Sequence, residues 1–304
     1  MEIIKLEKNK GTLCDYAAYH GFLFLLQWIR ENGYPWDAGS AEGGYFDGLQ
    51  WLRTQAPPAQ VPPCPWNEGT CEWAASGGHL NILQWLRAQD PPCPWNEKTC
   101  AWAAEHEHLE VLKWVRAQVP PCPWSEWTCE KAAENGRLKI LQWLRAQVPP
   151  CPWNSQTCSM AAKEGHLNVL QWARAQNPPC PWNTWTCEKA AQEGQLDILQ
   201  WLRKQDPPCP CDEWACAWAA EGGHLNVLQW ASAQVPPCPC DEDTCSWAAF
   251  GGHLNILQWA RAQVPPCPWD EYTCTQAARR GHLDVLRYAI ENKCSGYEKY
   301  IQYI

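Results

Sequence analysis

At 304 residues the chain has room for two ordinary domains, but a net charge of −9 and a pI near 5.4 argue against a surface built for nucleic acid or anionic membrane. Phosphate binding depends on clustered Lys and Arg displacing counterions, and here 33 acidic residues outnumber 24 basic ones. The opening MEIIKLEKNK has no apolar core or cleavage site, and apolar runs such as Phe22–Leu26 are far too short for a span, so neither a secretion signal nor a membrane span is expected.

The N-terminal stretch, residues 1–33, reads as a capping repeat, with Cys14, Ala17-Ala18 and Leu26-Gln27-Trp28 standing where later repeats have the same residues. Residues 34–63 are degenerate. DAGSAEGG is too short and glycine-rich for a full helix, Leu49–Arg53 preserves one, and a long APPAQVPP linker follows.

From Cys64 onward a 29-residue unit recurs, clearest as CPWNEKTCAWAAEHEHLEVLKWVRAQVPP at Cys93–Pro121. Its opening cysteine returns at Cys64, Cys93, Cys122, Cys151, Cys180, Cys209, Cys238 and Cys267 without insertion or deletion. Self-similarity at a fixed period of this length predicts a solenoid. Residues 64–266 hold seven regular repeats, and 267–304 a last repeat with a polar C-terminal cap, about ten units with those before Cys64.

Within each unit, Asn67, Asn96, Ser125, Asn154, Asn183, Asp212, Asp241 and Asp270 are residues that cap helix N-termini, so a short helix A is expected to start there. Cys71, Ala74, Ala75 and their equivalents never vary and Thr70 changes only to Ala215, which marks the core face of that helix. Helix B follows as HLNILQWLRAQ at His79–Gln89, too broadly apolar to be exposed, and the PPCP segment stops it, because proline donates no hydrogen bond and disfavours helical geometry before it.

The pattern resembles the ankyrin repeat. Thr70, Ala74-Ala75, Gly78-His79-Leu80, Ile82-Leu83 and Trp85-Leu86 fall where that family has its Thr, Ala-Ala, Gly-His-Leu and paired aliphatic positions, and the CPW(N/D)ExTC variant is similar to the divergent ankyrin repeats of giant DNA viruses. The resemblance implies an all-α, ankyrin-like solenoid with Pro-rich loops replacing the β-hairpins. It further implies a non-catalytic scaffold for protein–protein interaction, in the cytoplasm, or the host-cell cytoplasm if viral. The chain departs from the family at Cys71, where the usual proline would stand, and in its shorter period. The expected partner is another protein, with no nucleic acid, no membrane and no cofactor, and the chain is expected to be a monomer.

Two other readings stay open: a metal-binding or redox cysteine array, and a structural component of a virus particle. Twenty cysteines in a chain without an export signal read as reduced thiols. At Cys211 and Cys240 cysteine replaces the repeat tryptophan, so Cys209, Cys211 and Cys216, and likewise Cys238, Cys240 and Cys245, could offer three thiolates to a soft metal, against the simpler reading that a small residue replaces tryptophan. His79, His108, His166, His224, His253 and His282 share a position with Arg137 and Gln195, which excludes a ligand or general-base role there.

No catalytic constellation stands out. The irregular residues are the informative ones: Trp73, Trp102, Trp127, Trp185, Trp214, Trp218, Trp247 and Tyr272 occupy the variable face of helix A. They are either anchors for a partner or packing between neighbouring helices.

Overall fold

The computed structural model describes residues 67–303 apart from 211 and 235–239, together with the isolated positions 24 and 50. The capping and degenerate repeats at 1–63, and Cys64, Cys211 and Cys238, lie outside the described residues. The chain falls into two compact units, Met1–Pro152 and Trp153–Ile304. Among the described residues it is an all-α helical repeat solenoid without strands.

The first unit contains α1 (Glu68–Ser76), α2 (Leu80–Arg87), α3 (Glu97–Glu105), α4 (Leu109–Ala117), α5 (Glu126–Glu134) and α6 (Leu138–Arg145). The second contains α7 (Ser155–Lys163), α8 (Leu167–Arg174), α9 (Thr184–Gln192), α10 (Leu196–Arg203), α11 (Glu213–Glu221), α12 (Leu225–Ser232), α13 (Glu242–Gly251), α14 (Leu254–Arg261), α15 (Glu271–Arg280) and α16 (Leu283–Glu291), then a 3-10 helix at Tyr297–Tyr303. Odd-numbered elements are A helices and even-numbered ones B helices.

The expected residues stand at the N-cap positions, although Asn67, Ser125 and Asp212 make no side-chain cap bond. Asn96, Asn154 and Asp270 accept from the backbone N–H two residues on, and Asp241 accepts from Thr244 N at 3.1 Å. Each A helix turns its Thr (Ala215 in α11), Cys and Ala-Ala inward, buried except for the half-buried Ala278, and this face of small side chains lets successive A helices pack directly on one another within each unit. B helices bury three aliphatic positions each, as with Ile140, Leu141 and Leu144 in α6, each contributing ~1.5–3 kcal/mol where the side chain is large.

Between helices A and B the chain reverses through a residue in left-handed geometry. Gly252, with φ 78°, follows α13, and His253 N then bonds back to the Ala248 carbonyl at 2.9 Å, closing the orphan carbonyls of the helix end. The histidine side chain has a further use. Nε2 of His108, His224, His253 and His282 donates to the carbonyl of Ser76, Gln192, Glu221 and Phe250, at 2.9, 3.0, 2.8 and 3.1 Å. Arg137 and Gln195 donate to the equivalent carbonyls of Glu105 and Lys163, at 3.0 and 3.1 Å. The position requires an N–H donor reaching back one repeat, which is why three residue types satisfy it.

The end of helix B explains more of the invariant sequence. Gln89, Gln118, Gln147 and Gln176 each return a side-chain N–H to the tryptophan carbonyl four residues earlier, at 2.9–3.0 Å. Arg87 donates to the Cys93 carbonyl at 2.6 Å while its guanidinium stacks 4.0 Å from the centre of Trp95, and Arg174 does the same with Cys180 and Trp182. Trp95 in turn meets Trp114 edge-on at 6.1 Å, as Trp182 meets Trp201. The two regular tryptophan series are therefore structural. The intervening loop carries cis X-Pro bonds, such as Val119-Pro120 and Val264-Pro265.

Candidate interaction surface

The cysteines resolve into packing groups. The opening Cys93 is fully buried and its thiol points at the Asn67 carbonyl, 3.4 Å away in the preceding repeat. Cys71 lies beside it, and the pair repeats as Cys122 with Cys100 and Cys151 with Cys129. Contact with the Cys71 thiol and burial hold the Cys93 thiol well above the ordinary range, and burial with the Cys129 contact does so for Cys151. These are neutral thiols in a dry interface, a poor starting point for metal ligation, which needs thiolate.

Among the described residues, no three His, Cys, Asp or Glu side chains gather in a way that would hold a metal ion. The thiolate set suggested around Cys240 is corrected: Cys240 is disulfide-bonded to Cys267, the opening cysteine of the next repeat, with Cα atoms 5.6 Å apart. The expectation of uniformly reduced thiols fails at this junction, because a cysteine in place of the bulky tryptophan leaves its sulfur facing the neighbouring one. Cys209, Cys216 and Cys245 are buried and form no disulfide.

The variable face of the A helices separates into two kinds of aromatic. Trp73, Trp102, Trp218 and Trp247 are half-buried and engaged with neighbours. Trp73 stacks on His79 at 5.0 Å, Trp102 meets Trp127 edge-on at 5.7 Å, and Trp218 lies against Trp247 at 5.3 Å, with Phe250 continuing the group. Lys131 Nζ sits 5.9 and 5.8 Å from the Trp102 and Trp127 ring centres and is held by Glu134 at 2.8 Å and Glu105 at 3.7 Å. Trp127 thus belongs with the packed group.

The others stand open. Trp185 is 49% exposed, Trp214 41% and Tyr272 61%, all at the second position of their A helices and all in the second unit. Exposing aromatic rings forgoes a large burial contribution, so rings in register on one face are the mark of a contact surface. Asp243, also exposed, occupies the same position in α13. Burial, then Asp241, Asp270 and Glu242, push its carboxyl above the ordinary aspartate range. Glu188 is raised too, by burial and by Asp212.

No protein-family model matches the chain, and no curated protein sequence matches it. Among solved structures, the chain is similar to the pentatricopeptide repeat protein PPR10 in complex with an 18-nt psaJ RNA element, at 12% identity and a TM-score of 0.47. A cysteine-substituted form of that protein with the same RNA gives the same figures. The match covers 96% of this chain and 49% of that one, so this chain spans about half the length of the structures it matches. The expectation that excludes nucleic acid is corrected by this finding, since the helical repeat protein matched is one in complex with RNA. Net acidity is a property of the whole chain, whereas binding is decided by the charge of one face.

Among the described residues no helix is long and apolar enough to cross a membrane.

Proposed function

We propose that the chain is a non-catalytic, ankyrin-type repeat scaffold that docks another protein on the outward face of its A helices. The observation that carries this reading is the exposure of Trp185, Trp214 and Tyr272 at one helix position, while equally large rings one turn away are packed. Support for the ankyrin type comes from the Thr, Ala-Ala and Gly-His residues, which here bury the A-helix face and tie each repeat to the one before. A viral chain acting on host proteins is the setting that the CPW(N/D)ExTC resemblance supports.

The test is affinity capture with the full chain and with a W185A/W214A variant, followed by mass spectrometry. Proteins captured by the parent and lost by the variant are expected. Identical capture by both, or capture abolished by ribonuclease, would count against the reading.

A further inference from the structure

The second unit gives the proposed docking face a definite chemistry. The second position of successive A helices runs Trp185, Trp214, Asp243, Tyr272 from α9 to α15, so one carboxylate lies between open aromatic rings. Asp241 and Glu242 precede Asp243 on the same helix, and Asp270 opens the next. Cations on these helices are engaged elsewhere: Lys189 lies 5.5 Å from the centre of Trp218 and bonds Gln192, Arg280 stacks 3.8 Å over Phe250, and Lys299 pairs with Glu271 at 2.9 Å. The face therefore combines rings able to stack a planar cation with a group of carboxylates, Asp241, Glu242, Asp243 and Asp270, none of which forms an ion pair with a lysine or arginine among the described residues.

We infer that this face takes an extended cationic peptide segment, with an arginine paired to Asp243 and further arginines stacked over Trp214 and Tyr272. Arginine fits better than lysine, because its planar guanidinium both pairs bidentately with carboxylate and stacks on aromatic rings. The spacing follows from geometry. Packed helices lie ~8–10 Å apart, and an extended chain rises ~3.3 Å per residue, so every third side chain of the peptide meets the next repeat. The aromatic rings could also stack nucleobases, but the phosphates of RNA would then meet Asp241, Glu242, Asp243 and Asp270, whereas a cationic peptide is drawn to them.

This occupant presupposes the docking role proposed above, and the experiment separates the two. Fluorescence anisotropy is measured with a labelled peptide carrying arginine at every third position, its glutamate counterpart and a labelled single-stranded RNA. The full chain is compared with D243N, W214A and E291Q, the last removing a carboxylate on α16, and thermal melts confirm that each variant is folded. The expected result is binding of the arginine peptide alone, weakened about tenfold or more by D243N and by W214A and unchanged by E291Q. Equal weakening by E291Q and D243N would reduce the effect to general attraction and overturn the inference. So would RNA binding that W214A abolishes.

A displayed library of random peptides completes the test. Selected peptides that depend on Trp185 and Trp214 and carry spaced basic residues support the inference. Peptides that depend on those tryptophans but lack basic residues overturn it and leave the docking reading standing. A library in which none depends on them removes both.

Discussion

Glu107 accepts a hydrogen bond from Arg137, Oε2 to Nη1 at 3.2 Å, at a repeat boundary where Gly78, Gly194, Gly223 and Gly252 each face a histidine and Gly165 faces Gln195 at other boundaries. Glu107 sits at φ 64°, a left-handed conformation that glycine adopts in the other repeats. A Cβ at Gly78 would lie 2.6 Å from the His108 ring, so a side chain at the glycine position excludes an imidazole from the next repeat. With Glu107 present, Arg137 takes the histidine place, and its Nε still reaches the Glu105 carbonyl. The two departures from the repeat are one compensated change.

A double-mutant cycle follows from this pairing. R137H alone should destabilise by ~1–3 kcal/mol through overpacking against the Glu107 Cβ. E107G relieves ~1–2 kcal/mol of left-handed strain and forfeits an exposed ion pair contributing ~0–1 kcal/mol, so it should be neutral or mildly stabilising. The double variant should recover the parent's stability in urea unfolding. An R137H penalty of equal size in the presence and absence of E107G would contradict the steric argument.

The two aromatic groups on helix A should differ in stability. W218A or W247A opens a stack between neighbouring repeats and should cost ~2–4 kcal/mol, somewhat less than a full core Trp deletion. W185A and W214A remove half-exposed rings and should each cost under ~1 kcal/mol. W127A should behave like the packed group, because its ring meets Trp102. Circular dichroism melts decide this, and a large loss in W185A/W214A would return those rings to the packing class.

The acidic face sets a pH dependence whose sign can be worked out. The Asp243 carboxyl is raised in the folded state, so folding favours its protonated form and ionisation reduces stability. That penalty is absent well below the ordinary aspartate pKa of ~3.9 and fully present once pH exceeds the raised value. D243N should therefore melt above the parent at neutral pH, with the difference vanishing as the solution is acidified. A variant less stable than the parent at neutral pH would show that Asp243 is favourably paired.

Thiol chemistry should report the packed interfaces. Burial, aided by Asp241, Asp270 and Glu242, pushes the Cys245 thiol up to about 12 against the opposing pull of Arg261. At mildly alkaline pH almost none of it is thiolate, and the sulfur is inaccessible besides. A thiol reagent should label Cys245, Cys100 and Cys129 slowly in the native protein and rapidly in denaturant, followed by mass spectrometry. Rapid native labelling would show that the repeat interfaces open.

The repeat period, the two helices per unit, their caps, the buried Thr-Cys-Ala-Ala face and the proline stop were all legible in the sequence. Each is a local property, set by backbone geometry and by which side chains water excludes, so comparing copies of one unit exposes it. The shared position of histidine, arginine and glutamine also excluded a ligand role before any coordinates. It did not reveal the acceptor, which lies on the helix A end of the preceding repeat. Tertiary structure alone decided which tryptophans are open: Trp214 and Trp218 are neighbours on one helix, yet one faces solvent and the other stacks on Trp247. It also decided that Cys240 meets Cys267 and that Glu107 calls for Arg137. The physical reason is common to all three. These contacts join side chains of different repeats, and their geometry depends on the offset between stacked helices, which no single copy of the unit encodes.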